Sequence, residues 1–174
     1  HHMETSPSRT IFLTGASSGI GAAIARILVA HGHQVFATAR REEALEQVAQ
    51  EAMAGATGNG RILTGVMDVL DPGAQQKAVA RCVAEFGKLD VVIPNAGLGI
   101  FSPLDQAELD DWMTMVDVNV KGVLITLHVS LPHLIEHQGL VINMGSVASR
   151  NVFPNSGVYC ATKHAVLALG EAIR

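Results

Sequence analysis

Short runs rich in β-branched residues alternate along this chain with longer segments whose apolar positions recur every three or four residues. The first kind of run suits strands buried on both faces; the second suits amphipathic helices. The strands are predicted at "TIFL", "QVFAT", "RILTGV", "DVVI" and "LVINM". Between the first two, Ile20, Ile24, Ile27, Leu28 and His31 form a helical stripe, and Gly32 sits where such a helix stops. A second helix is predicted from about Arg41 to Ala54, ending in "GATGNG". Asp71 as N-cap and Pro72 in the first turn open a third, which runs to Phe86. A long segment from about Trp112 to His137 leads to the fifth strand. Strand and helix in strict alternation predict an α/β fold, a doubly wound parallel sheet with helices on both faces.

With 174 residues, 48% of them hydrophobic, the chain carries enough apolar material for one domain, placed at residues 9–174. Residues 1–8 read as a tail, and His1, His2 and Met3 as the scar of an affinity tag. The net charge of −4 and the scattered basic residues argue against a nucleic-acid partner. Cys82 and Cys160 match no metal or redox spacing, which predicts reduced thiols and a cytoplasmic protein. "ETSPSRT" is too polar for a signal peptide, and Asn119 and Lys121 interrupt the most apolar run, so no membrane span is expected.

The first strand runs straight into "TGASSGIG", residues 14 to 21. At a strand-to-helix junction the glycines have separate tasks: Gly15 permits the tight turn, Gly19 lets backbone approach a pyrophosphate, and Gly21 allows close packing. The helix N-terminus offers free N–H groups to the anion, which makes Gly15, Ser17, Ser18, Gly19, Ile20 and Gly21 a candidate dinucleotide cradle. Ala39 stands at the end of the second strand, where an acid would hold the ribose of NAD. Arg40 and Arg41 follow, and a guanidinium suits a 2′-phosphate. NADP(H) is therefore the preferred cofactor; NAD(H) stays open. The plain alternative is that both arginines are solvated residues opening a helix.

"GVYCATKHAV" holds the only tyrosine, Tyr159, with Lys163 one helical turn later. A phenol titrates near ~10 unless a cation lowers it, and four-residue spacing puts the cation on the same helix face. Taken with the glycine turn, "NAG" at 95–97, Asn119 and Ser146, in this order, the chain resembles the short-chain dehydrogenase/reductase family over nearly its whole length. The resemblance implies a Rossmann-like fold and an NADP(H)-dependent oxidoreductase acting on a carbonyl or alcohol. Tyr159 would be the general acid/base and Ser146 would hydrogen-bond the substrate carbonyl. Lys163 would hold the nicotinamide ribose and lower the phenol's pKa, and Asn119 would hold a water in a relay to Lys163. Asp68 and Val69 would lie beside the adenine, and Asn95, Ala96 and Gly97 would flank the cofactor. Two departures stand out: Pro94 replaces a usual asparagine, and Ser18 replaces the basic residue of many NADP-preferring members.

The largely apolar "LGIFSPL" and "VASRNVFPN" would line a pocket for a hydrophobic small-molecule substrate. A homodimer or homotetramer is expected, with Val123, Leu127, Val166 and Leu169 as interface candidates. His133 and His137 have metal-ligand spacing but lack the glutamate of a metalloprotease motif, and no metal is expected. Cys160 reads as a packing residue. The family continues past such a helix with further strands and a substrate loop, so the expectation is that C-terminal strands are absent from these 174 residues. The competing reading is a dinucleotide-binding regulatory or structural module without turnover.

Overall fold

The computed structural model describes residues 7–174, so the tag reading at His1, His2 and Met3 lies outside the described residues. Ser8, placed in the tail by its sequence, is tied down: its Oγ donates to Gly32 O at 2.9 Å and its carbonyl accepts from Lys88 Nζ.

Five parallel strands, β1 (Thr10–Leu13), β2 (Gln34–Ala39), β3 (Arg61–Val66), β4 (Val91–Ile93) and β5 (Leu140–Val141), form one sheet in the order β3-β2-β1-β4-β5. Alternation along the strands feeds two cores. Ile11, Leu13, Val35, Ala37, Val91 and Ile93 face α1 (Gly19–Ala30) and α2 (Glu42–Ala54). Phe12, Phe36 and Val92 face the other way, toward α3 (Pro72–Phe86) and α5 (Gly122–Glu136), where Phe12 and Phe36 stack with centroids 5.8 Å apart. A parallel strand covered on both faces has to be apolar at successive positions, and these are.

The helix ends follow local chemistry. Asp71 caps α3 by accepting from Ala74 N at 3.0 Å, Pro72 occupies the first turn, and Gly87 closes the helix in the left-handed region at φ 81°. In α1 the period is as expected but the buried face differs. Gly21, Ala22, Ala25 and Val29 are buried, whereas Ile20 and Ile27 are exposed and Ile24 and Leu28 only pack at the edge of the core. Small residues face inward because this helix lies close against the loops after β1 and β4.

The segment after β4 is one helical run of three parts: α4 (Leu109–Val116), a π turn (Asp117–Lys121) and α5. It starts three residues before Trp112, and Asn119 and Lys121 do not interrupt it. By length and composition the run Leu109–Glu136, which contains an 18-residue stretch of mean hydropathy 1.3, is apolar enough to cross a membrane, which corrects the expectation that no such segment exists. Here it packs instead on α3 and on α6 (Gly157–Ala172). The fifth strand keeps only two of its five expected residues in ladder form. It has β4 on one side and no strand on the other among the described residues, and Leu140 and Ile142 remain exposed.

Candidate active site

The C-terminal ends of β1, β2, β3 and β4 open into one cleft of about 650 Å³. It sits where the strand order reverses direction, since β1 has β2 on one side and β4 on the other. The first wall is the turn from β1 to α1. Gly15 and Gly19 adopt φ +66° and +54°, which only glycine does without strain. A Cβ on Gly21 would collide with the Gly15 carbonyl oxygen and stand 2.5 Å from Asn95 Nδ2, so this third glycine fixes the closeness of two loops. Ser18 makes no side-chain cap to α1 and the first turn holds no acidic residue. Its amides are therefore left for an external anion.

The opposite wall is stitched to this turn. Asn95 Nδ2 donates to Thr14 O and Gly15 O, both at 3.1 Å, while Asn95 N and Ala96 N donate to Thr14 Oγ1 at 3.0 Å. Pro94, where an asparagine would be usual, is buried and has no N–H, so Asn95 and Thr14 carry the tie between loops. At the outer end, Ala39 closes β2 and Arg40 and Arg41 follow it along the cleft, and Arg41 Nη2 approaches Ser17 Oγ at 3.5 Å. Asp68, Val69 and Leu70 line the same region from the loop after β3.

At the inner end stand Tyr159 and Lys163, presented on one face of α6. Lys163 Nζ donates to Met144 O at 3.1 Å and lies 5.9 Å from the centre of the Tyr159 ring. Burial lowers the Lys163 pKa from its ordinary value, because a partly desolvated ammonium loses hydration. Phe101 meets Tyr159 edge-on, centroids 5.3 Å apart at 73°.

Asn119 is 1% exposed and its side chain is fully engaged. Oδ1 accepts from Leu98 N at 2.8 Å; Nδ2 donates to Leu98 O at 2.7 Å and to Thr162 Oγ1 at 3.1 Å. The side chain thus pins the loop after β4 and leaves no amide hydrogen for a water. Ser146 stands apart from the cleft. It caps the short 3-10 turn Val147–Ser149, its Oγ accepting from Ala148 N at 3.1 Å, and it lines an adjoining cavity of about 690 Å³. Gly145 lines both spaces, so the two meet at the residue before Ser146.

Every residue proposed from sequence for the cofactor therefore borders one cleft: Gly15, Ser17, Ser18, Gly19, Ile20, Gly21, Arg40, Asp68, Val69, Asn95, Ala96, Gly97, Tyr159 and Lys163. Exposed Ile20, a misfit in the helix core, faces this space. Sequence reading missed Thr14, Thr162 and Gln75, whose hydrogen bonds join distant segments, and it gave Arg41 no role of its own. His133 and His137 lie at the end of α5, where His137 Nδ1 pairs with the His133 carbonyl at 2.9 Å. No metal-binding cluster occurs among the described residues. Cys160 is buried beside Ser156, and burial pushes the Cys82 thiol up to about 12.

Residues 9–174 match the short chain dehydrogenase family model. Serine 3-dehydrogenase of Agrobacterium fabrum is 40% identical over 158 residues, which is 90% of this chain and 61% of that protein. The alcohol dehydrogenase of Thermococcus sibiricus complexed with 5-hydroxy-NADP superposes with a TM-score of 0.88 at 33% identity, covering 96% of this chain and 70% of its own. An NAD+-bound xylitol dehydrogenase gives 0.89 at 29% identity, covering 95% of this chain and 63% of its own. The chain thus spans about three fifths of the length of the serine 3-dehydrogenase and about two thirds of that of an uncharacterized oxidoreductase of Staphylococcus saprophyticus, to which it is 37% identical over 173 residues, 99% of this chain.

Proposed function

The chain belongs to the short-chain dehydrogenase/reductase family, and from that membership we propose that it is an NADP(H)-dependent oxidoreductase interconverting a carbonyl and a secondary or primary alcohol. One observation carries the reading: a single cleft runs from an uncapped helix N-terminus and two arginines to a tyrosine with a lysine beside it. The residues fit a dinucleotide. The crowding at Gly21 holds the turn in a shape that no side chain could share, and the open space around Gly19 admits a pyrophosphate.

The amides from Ser18 to Gly21 would hold the pyrophosphate, Arg40 and Arg41 the 2′-phosphate, and Asp68 and Val69 the adenine. When bound, the nicotinamide supplies or accepts the hydride. Tyr159 donates its phenolic proton to the carbonyl oxygen during reduction and takes it back during oxidation. Lys163 stabilises the phenolate by its charge and holds the nicotinamide ribose. Asn119 keeps Leu98 and the loop around Gly97 in place, a positioning task that the engaged side chain supports better than direct water binding. Ser146 keeps its hydroxyl proton free to donate, since its cap uses only an acceptor lone pair. A carbonyl group bound near Gly145 would come within its range.

Phe101, Leu104, Val152 and Phe153 are exposed apolar residues in the segments expected to line the substrate pocket, which favours a hydrophobic ketone, aldehyde or alcohol. The serine 3-dehydrogenase and xylitol dehydrogenase similar to this chain favour small hydroxylated substrates as well. Two buried free thiols suit a reducing cytoplasmic setting.

Tyr159→Phe tests the reading. NADP(H) affinity should persist while carbonyl-dependent NADPH oxidation falls by ~10²-fold or more, the scale of losing a general acid. Wild-type turnover in this variant would remove Tyr159 from the chemistry. Affinity for NADPH without turnover on a broad carbonyl panel in the unmodified protein would instead favour the binding-module reading.

A further inference from the structure

The buried face of α3 carries an amide where the pattern calls for a hydrocarbon. Val79 and Cys82 follow Gln75 on that face, and Gln75 is itself 0% exposed. A primary amide there is costly unless each of its hydrogen bonds is made. They are made, and to partners in two different elements. Nε2 donates to Val69 O at 2.8 Å and to Gly122 O at 3.2 Å, and Oε1 accepts from Thr126 Oγ1 at 2.8 Å. Thr126 is 1% exposed.

These partners sit at two ends of the cleft. Val69 lines it from the loop after β3. Gly122 is the first residue after the π turn, and three positions earlier in that turn Asn119 grips Leu98 and Thr162. Thr162 Oγ1 in turn donates to Tyr159 O at 2.7 Å. A second contact repeats the link without polar atoms. A Cβ on Gly122 would stand 2.8 Å from Val69 Cγ2, so the valine side chain rests directly on the glycine backbone. Leucine at position 75 would fill the same volume and satisfy α3, but it could not hold two carbonyls of separate elements at fixed distance.

We propose that Gln75 is a positioning residue that binds the adenine end of the cleft and the Asn119 turn into one unit, so that Val69 and the Tyr159 region keep their relative placement. The inference rests on the dinucleotide reading given above. Gln75 touches no ligand. It acts through the Val69 carbonyl on one side and through Gly122, Asn119 and Thr162 on the other.

The test compares Gln75→Leu with Val79→Ala, a variant one turn along the same buried face that loses packing without touching either carbonyl. Two measurements on folded protein at 25 °C report the two ends. Calorimetry with 2′,5′-ADP reads the adenine end, and the amide proton shift of Leu98 reads the Asn119 turn, because that proton is donated to Asn119 Oδ1. Gln75→Leu should weaken 2′,5′-ADP by ~3- to 10-fold, within the range of such couplings, and move the Leu98 amide proton upfield as its bond to Asn119 loosens. Val79→Ala should lower the melting temperature and move neither readout. Thr126→Val, which removes the Oε1 partner and the threonine hydroxyl's own contact with Gly122 O at 3.0 Å but leaves both Nε2 bonds, should shift both in the same direction by less, and serves if Gln75→Leu does not fold. Overturning results are clear: Gln75→Leu, or Thr126→Val in its place, indistinguishable from Val79→Ala in both measurements. Wild-type protein without affinity for 2′,5′-ADP would overturn the dinucleotide reading and this inference together; unchanged affinity and Leu98 amide shift in the variants would overturn the inference alone.

Discussion

Arg40 and Arg41 enter the cleft side by side at the end of β2, and the buried residue before them, Ala39, has no charge to oppose an anion. A 2′-phosphate there would meet two guanidinium groups, one of them already near Ser17. NADPH should therefore bind at least ~10-fold tighter than NADH, equal to one charge-assisted hydrogen bond. Arg40→Asp should reverse the order by replacing a phosphate partner with a repelling carboxylate. Fluorescence titration with both cofactors decides it, and equal affinities in the unmodified protein would take Arg40 out of the site. At this scale the sequence was a good guide to position wherever a residue's own backbone or charge marks it, as with Gly15, Gly19 and Lys163, which all border the cleft. Asn119 was harder to read because its partners are the backbone of Leu98 and the hydroxyl of Thr162, 21 and 43 positions away. Side-chain types along the chain do not announce such pairings.

The elements show the same division. Period and caps located α1, α2, α3 and all five strands to within a few residues, because hydrophobic repeat and capping are local. The face that α1 buries is a tertiary matter. Gly21 points inward because Gly15 and Asn95 leave no space for more, Ala22 and Ala25 join the core, and the bulkier Ile20 and Ile27 are turned outward. The π turn at Asp117–Lys121 was likewise hidden, since one extra residue in a turn leaves the apolar repeat almost unchanged. Gly21→Ala tests the packing argument. The added methyl meets backbone, which cannot swing aside, so unfolding free energy should fall by ~1–3 kcal/mol, the usual range for overpacking. Cofactor affinity should fall with it as Asn95 is pushed from Gly15. Urea denaturation with unchanged stability would show that the two loops have slack.

For the molecule as a whole, three of the four residues first assigned to a subunit interface are internal, Val123 and Leu127 at 5% and Val166 at 3% exposure, whereas Leu169 is half-buried. The three close the core between helices, where the same apolar character was equally useful. The outer side of the long helical run carries a different set, with Leu109, Met113, Val116 and Leu124 all exposed. Water-exposed apolar rows of this kind favour burial against a second copy, and a two-fold dimer through α4 and α5 is the expected assembly. Sedimentation should show a dimer at micromolar concentration, and Met113→Glu with Leu124→Glu should yield monomer; a monomer before mutation would refute this interface. The strand order has a further consequence for how the chain comes into being. β1 lies between β2 and β4, and the bonds that complete the cleft span 80 to 82 positions, from Thr14 and Gly15 to Asn95 and Ala96. At a ribosomal pace of ~5–20 residues per second, β1 and β2 can pair several seconds before β4 emerges. During that interval one edge of the central strand, Ile11 to Leu13, stands open to any extended segment nearby. The strand that organises the cleft is thus also an aggregation hazard of the nascent chain, and its protection depends on the timely arrival of three residues, Val91, Val92 and Ile93.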